Sequence, residues 1–282
     1  MKMPIMKEGF LQKFQRHAAE LGEEMLQHIL DEGRKWDISE TLRKGGSAIF
    51  PHSLLRDCGE QIASVIHGCL DSGADQILVL GVVHILNEEL KRARTKEKRG
   101  EKTQDSPYWG VFQAVEDEYS LYPFEVLWNS EIKRRGIKGP RLIKRYPCLV
   151  NREPETLLGI EELERIAKDS VIVLTGDLNH NGVAYNTKEI AGFGEKGEQF
   201  ARQNILSGFD LLKEGNYSGY VDHCYQVIND ARDPCSVLRY LRGPMTPSIL
   251  DLKIFDTSLN FEGNPEPSWV ATSLISLDLD LK

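Results

Sequence analysis

Residues 47–84 read SAIFPHSLLRDCGEQIASVIHGCLDSGADQILVLGVVH, and this stretch decides the fold. SAIF is a short apolar run stopped by Pro51, the pattern of a buried strand. In DCGEQIASVIHGCLDSG the residues Ile62, Val65, Ile66, Cys69 and Leu70 recur on one helical face, and the polar Asp-Ser-Gly-Ala-Asp stretch ends that helix. QILVLGVVH at 76–84 is almost continuously apolar, as expected of a strand covered on both faces. Strand, helix and strand at this spacing predict a βαβ unit with parallel strands and a right-handed crossover.

The same rhythm continues outward. EELERIAKDS predicts a helix, and VIVLTGDLNH at 171–180 predicts a third buried strand running to His180. Helices follow around 195–213 and 217–229, and another is expected to open with Asp233 as N-cap and Pro234 at the first helical position. The alternating segments ILDLKIFDTSLNF and SWVATSLISLDLDL predict two further strands, paired with each other. Upstream, residues 8–45 carry Phe10, Leu11, Phe14, Ala18, Leu21, Met25 and Ile29 at helical spacing. His17 and His28 within them are expected at the surface or boundary of packing helices. The expectation is one α/β domain over 46–282, with a mixed, largely parallel central sheet flanked by helices, preceded by a helical segment over 1–45 that packs on its core.

At 282 residues, with 40% hydrophobic and 28% charged side chains, the chain has the balance of a globular protein. No apolar run approaches the ~20 residues of a membrane span, and MKMPIMKEGFLQKFQRH lacks the pattern of a signal peptide. A cytoplasmic protein without membrane partners is expected. Cys58, Cys69, Cys148, Cys224 and Cys235 are widely spaced and read as reduced thiols. A formal net charge of -8 argues against nucleic acid as a partner. The basic run KRARTKEKRGEK at 91–102, interrupted by Glu97 and Glu101, reads as a solvated helix end or loop. GFGEKG at 192–197 has dinucleotide-loop spacing but follows no apolar strand, and reads as a flexible loop over the crevice. There is no G-x-S-x-G elbow and no phosphate loop.

Three predicted core strands end in histidine: SAIFPH at His52, QILVLGVVH at His84 and VIVLTGDLNH at His180. Ligands of open α/β sheets bind at the carboxyl ends of strands, so the three imidazoles are expected in one crevice. The plainer alternative is that each closes its strand with a backbone hydrogen bond. Imidazole suits iron, zinc, copper or nickel, and two histidines with one carboxylate leave coordination positions open. Asp177, three residues before His180, is placed to orient the imidazole or hold a water. His67 is expected to be solvated, and His223 and Cys224 to be structural. Trp109 and Trp128 are explained equally by pocket lining and by core packing.

IFPHSLLRDCGEQIASVIHGCLDSGADQILVLGVVH resembles the Memo-family pattern, in which a Pro-His strand end is followed by a helix and a Leu-Gly-x-x-His strand end. TGDLNHNGVAY is similar to that family's Ser-Asp-Leu-x-His segment, and NDARDPCSVLRYL to its Cys-Gly-x-x-Pro helix start, in the same order over roughly residues 46–275. The resemblance implies the fold of class III extradiol ring-cleaving dioxygenases, His52 and His84 as metal ligands, and His180 as the nearby acid/base. Where Memo-like proteins carry a cysteine as third ligand, this chain carries Asp230, with Asn229 one residue away. Tyr119 in EDEYSLYPFEVLW stands where the family has a histidine. An acidic residue near a helix start also serves the helix dipole, the competing role for Asp230. Asp222 and Asp233 are the alternative carboxylates. The metal expected is divalent iron, with zinc and copper as alternatives. Three functions follow: an oxidoreductase on a small aromatic diol, a non-catalytic protein that binds a peptide or partner, and a metal-assisted hydrolase using His180 and Asp177.

Overall fold

The computed structural model describes residues 9–103, 109–261 and 263–280; the first eight residues of the expected N-terminal segment and the last two of the tail lie outside them. In chain order the elements are α1 (Phe10–Glu32), α2 (Ser39–Arg43), β1 (Ser47–Phe50), α3 (Leu55–Asp71), β2 (Gln76–Leu80), α4 (Glu88–Lys98), β3 (Gly110–Phe112), α5 (Tyr122–Arg135), β4 (Arg141–Cys148), α6 (Ile160–Lys168), β5 (Val171–Thr175), β6 (Asn179–Gly182), α7 (Glu195–Lys213), α8 (Tyr217–Val227), α9 (Arg232–Arg242), β7 (Met245–Asp256) and β8 (Ser268–Leu279).

One mixed sheet of eight strands runs β3-β4-β2-β5-β1-β8-β6, with β7 on β8. Its parallel part is confined to β4, β2, β5 and β1; every other pairing is antiparallel. The expectation of a largely parallel sheet is corrected to a sheet parallel only at its centre. Ser47, Ala48 and Ile49 of β1 pair with β5 on one side and with β8 on the other. The tail strands β7 and β8 pair antiparallel over nearly their full length.

Strand alternation splits the core into two layers. Ala48, Phe50, Ile77, Val79, Val171 and Val173 pack under α1, α2, α3 and α5. Ile49, Leu78, Leu80, Ile172 and Leu174 pack under α6, α7, α8 and α9.

The expected helical run over 8–45 is broken. Gly22 has φ 72° inside α1, a 3-10 turn occupies Gly33–Lys35, and α2 holds only five residues. These pieces cover the outer side of α3 at three close contacts. Gly33 lies against Ala63, Gly59 against Ile29, and Gly68 against Ile38 and Leu42. Sandwiched in this way, α3 is buried on both sides, which explains why His67 is buried and not solvated. Its Nε2 lies 2.7 Å from the Leu30 carbonyl, and its Nδ1 3.0 Å from Nη2 of Arg135. His17 is also buried, while His28 is exposed.

β4 has no counterpart in the sequence reading, because Pro147 and three basic residues disguise RLIKRYPC. Segment 91–102 is the mostly exposed end of α4, as expected, but its inner face is buried. Arg94 and Glu97 of α4 enter a buried ion network with Asp233 and Arg232. α9 begins at Arg232 with Ala231 as its cap, so Asp233 lies inside the helix and is held by Arg94 and Arg232 in place of capping it. GFGEKG runs directly into α7, whose first residue is Glu195. Among the described residues no helix is long and apolar enough to cross a membrane.

Candidate metal centre

β1 stops at Phe50 and β2 at Leu80, so His52 and His84 sit on the loops that leave the carboxyl ends of two parallel strands. The segment 171–180 is not one strand. β5 ends at Thr175, and after Gly176 and Asp177 the chain turns into β6, which pairs antiparallel with β8 and carries His180 opposite Val270. Gly176 permits this turn by close approach. A Cβ there would lie 2.1 Å from the Cβ of Ala231. The contact brings the α8–α9 turn against Asp177, whose N–H donates to Oδ1 of Asp230 at 2.8 Å. Ile228 (φ 52°) ends α8 in the left-handed region, and the Asn229 side chain accepts from Ala231 N–H at 2.8 Å. Together these contacts turn the Asp230 carboxylate toward the histidines.

The ligating atoms of His52, His84 and Asp230 lie within 4.8 Å of one another, as do those of Asp177, His180 and Asp230. The two groups share Asp230, so the three histidines all fall inside the ~12 Å allowed for ligands plus an adjacent acid/base. Nε2 of His52 and of His84 stand 3.2 and 3.7 Å from Oδ2 of Asp230. With bonds of about 2.1 Å, ligand atoms at roughly 90–110° stand about 3.0–3.4 Å apart. The His52 separation falls in that range and the His84 separation is a few tenths of an ångström longer.

Each of the three imidazoles has its Nδ1 fixed. The Thr175 hydroxyl donates to the Phe50 carbonyl at 3.0 Å, so at 3.2 Å it can only accept from His52 Nδ1–H, which leaves the Nε2 lone pair free. His84 Nδ1–H donates to Oε1 of Glu118 at 2.9 Å. Glu118 also accepts from the backbone N–H groups of His84, Ile85, Tyr119 and Ser120. His180 Nδ1–H donates to the Ile228 carbonyl at 2.7 Å, leaving Nε2 for a proton or a ligand.

Asp177 is buried. Its Oδ2 accepts from the Ser53 hydroxyl at 3.1 Å, while its Oδ1 has no hydrogen-bond partner among the described residues. The fallback carboxylates are committed elsewhere: Asp233 to Arg94 and Arg232, Asp222 to Arg152.

The site is charge-dense. Burial opposes a proton on His84, but hydrogen bonds and charge from Asp230 and Glu118 outweigh it and push its pKa up to about 10. His52 is raised in the same way, with Asp230 and Asp177 outweighing its burial. Burial would raise Asp230, yet His52 and His84 hold it far below the usual carboxylate range. Asp177 is raised, by burial first and by the charge of Asp230.

Tyr119 stacks on His84 at 4.6 Å, and Tyr185 meets His180 edge-on at 4.9 Å. An open cleft of about 250 Å³ borders His84 and Asp230 between Val82, Leu86 and Pro234. Trp109 and Trp128 are core residues, and His223 is tied to the Asn204 carbonyl. Sequence reading missed Glu118, Thr175 and Ser53 as supports, and Tyr185 as the ring against His180. The one available signal was that a ligating histidine needs an acceptor for its second ring nitrogen. EDE at 116–118 offers three candidates for that acceptor, and spacing does not choose among them. No protein-family model matches the chain, and no curated protein shows significant similarity to it.

Proposed function

We propose that this chain is a divalent-metal oxidoreductase of class III extradiol dioxygenase-like fold, resembling the Memo family, with His52, His84 and Asp230 as ligands of iron(II). One observation carries the reading. On each of these three side chains, every polar atom except the one facing its partners is already held by Thr175, Glu118 or the Asp177 N–H. Such a shell orients ligands, and it leaves one atom of each side chain turned toward the other two.

Iron(II) in that place would supply a Lewis-acidic, redox-active centre with coordination positions left open. The protein supplies the rest. Glu118 and Thr175 fix both imidazole tautomers. His180, its Nδ1 anchored on Ile228, offers Nε2 as acceptor for a substrate hydroxyl proton. Asp177 Oδ1 is a ready acceptor for a second donor on the substrate. Tyr119 and Tyr185 pack their rings on His84 and His180 and would flank a planar ring that reached both imidazoles. The substrate class is a small aromatic diol.

The test is metal analysis of the purified protein, followed by anaerobic loading with ferrous iron and oxygen-uptake measurements on a panel of aromatic diols. One tightly held iron and diol-dependent oxygen uptake are expected. Failure to bind any divalent metal would overturn the proposal and favour a non-catalytic binding protein. Tight zinc with no oxygen uptake would overturn the oxidoreductase chemistry while leaving the metal centre, and would point to metal-assisted hydrolysis.

A further inference from the structure

We propose a second, weaker cation site formed by Asp177, His180 and Asp230, which an excess of divalent metal fills and which thereby withdraws His180 from proton transfer. The inference rests on the reading of His52, His84 and Asp230 as the first site.

Its ligand atoms are as closely gathered as those of the first site, within 4.8 Å of one another. His180 and Asp177 each have one valence to give. His180 has its Nδ1–H committed to the Ile228 carbonyl, so Nε2 carries the only lone pair it can offer. Asp177 is 4% exposed; Ser53 occupies its Oδ2, and its Oδ1 is buried with no hydrogen-bond partner among the described residues. An unpartnered buried carboxylate oxygen costs free energy unless a donor or a cation meets it. Asp230 belongs to both groups, and a bridging carboxylate is the usual way to hold two cations ~3.5–4 Å apart. Oδ2 of Asp177 is 3.8 Å from Nε2 of His52, so the two groups adjoin.

The same geometry makes the second site the weaker one. Oδ1 of Asp230 already accepts the Asp177 N–H, so a cation there shares an occupied oxygen. The first cation also repels the second across a short gap. The consequence is a regulatory one. At low metal His180 is the acid/base; at high metal it is a ligand, and turnover falls.

The experiment is a zinc titration of metal-free protein by calorimetry with equilibrium dialysis. Wild type is expected to take up a tight first equivalent and a weaker second. Asp177→Asn, which preserves shape, and His180→Ala are each expected to keep the first and lose the second; the retained first equivalent reports that the variant is folded. His84→Ala is expected to lose the tight phase. Uptake that stops at one equivalent in wild type, or a second equivalent that survives in both Asp177→Asn and His180→Ala, overturns the second site and leaves the first intact. Absence of a tight first equivalent in wild type, or its survival in His84→Ala, instead overturns the first-site reading on which this one rests.

Discussion

Glu118→Gln tests the support of the centre through a single atom. The Glu118 side chain has no exposure to solvent, and its two oxygens accept from His84 Nδ1 at 2.9 Å and from backbone N–H groups, including those of Tyr119 and Ser120 at 2.9 Å each. Gln keeps the volume but turns one acceptor into a donor, so a donor must face a donor. A buried donor left without an acceptor costs ~1–3 kcal/mol, which should appear as a lowered unfolding midpoint. Loss of the carboxylate behind a ligating imidazole typically weakens metal binding ~10–100-fold, or about 1.4–2.7 kcal/mol. Zinc affinity measured by competition with a chromophoric chelator, at equal folded fraction, should fall by that factor, although every ligand is still present. A folded Glu118→Gln protein with wild-type affinity would refute the assignment of Glu118 as the group that holds His84.

Further outcomes follow from the same geometry. Asp230→Ala should abolish tight iron binding; unchanged affinity and stoichiometry, by metal analysis of folded protein, would remove Asp230 from the centre. For the metal-free protein the pH sign follows from His84, which Asp230 first and Glu118 second hold protonated, together with its partner Glu118. His84 is raised from 6.5 to about 10 and Glu118 lowered from 4.5 to about 2. The pair therefore contributes fully between pH 4.5 and 6.5. Its contribution is lost as pH rises through the folded His84 value or falls through that of Glu118. Denaturant midpoints of apo protein that rise steadily from pH 6 to 9 would contradict this. Gly176→Ala should destabilise by ~1–3 kcal/mol and weaken metal binding, because its Cβ would push Ala231 and with it Asp230; a variant with native stability and affinity would show that the turn is not held by that contact. Asp233→Ala should cost ~3 kcal/mol, since it removes one of the two buried carboxylates, Asp233 and Glu97, that Arg94 and Arg232 share; a loss below ~1 kcal/mol in chemical denaturation would contradict this.

The parts of the fold legible in the sequence were those in which a short-range pattern and the final environment agree. β1, α3 and β2 follow from apolar runs broken by Pro51 and by the polar turn near Gly73. Helices α7 and α8 were placed within two residues, because amphipathic periodicity survives where one face meets the core. Legibility failed where a long-range contact overrides the local pattern. VIVLTGDLNH has the composition of one strand, yet it is divided at Gly176 by the approach of Ala231, 55 positions away in the sequence. The α3 pattern suggested a solvated back, but α1 and α2 cover it, and His67 is buried with it. Arg94 and Glu97 look like parts of a solvated basic run until Arg232 and Asp233 arrive from the far end of the chain. At the site the candidate ligands were readable because histidines close successive core segments. Their supports were not, since a hydroxyl at Thr175 or a carboxylate at Glu118 gains its meaning only from a partner on another loop.

The charge balance of the centre links these observations. Without a cation, Asp230 is held ionised by His52 and His84, and both imidazoles have raised pKa values; the protons stand in for the positive charge the carboxylates demand. A metal ligand must be a neutral imidazole, so a cation entering at the shared centre displaces those protons. Metal uptake is therefore a proton exchange, and its apparent affinity should rise with pH by up to about tenfold per unit for each proton released, until the imidazoles are neutral on their own. Calorimetry of zinc binding in buffers of different ionisation enthalpy measures that proton number directly. A value of zero near neutral pH would mean that His52 and His84 are already neutral, and that the field of Asp230, Asp177 and Glu118 is not what prepares this pocket for a cation.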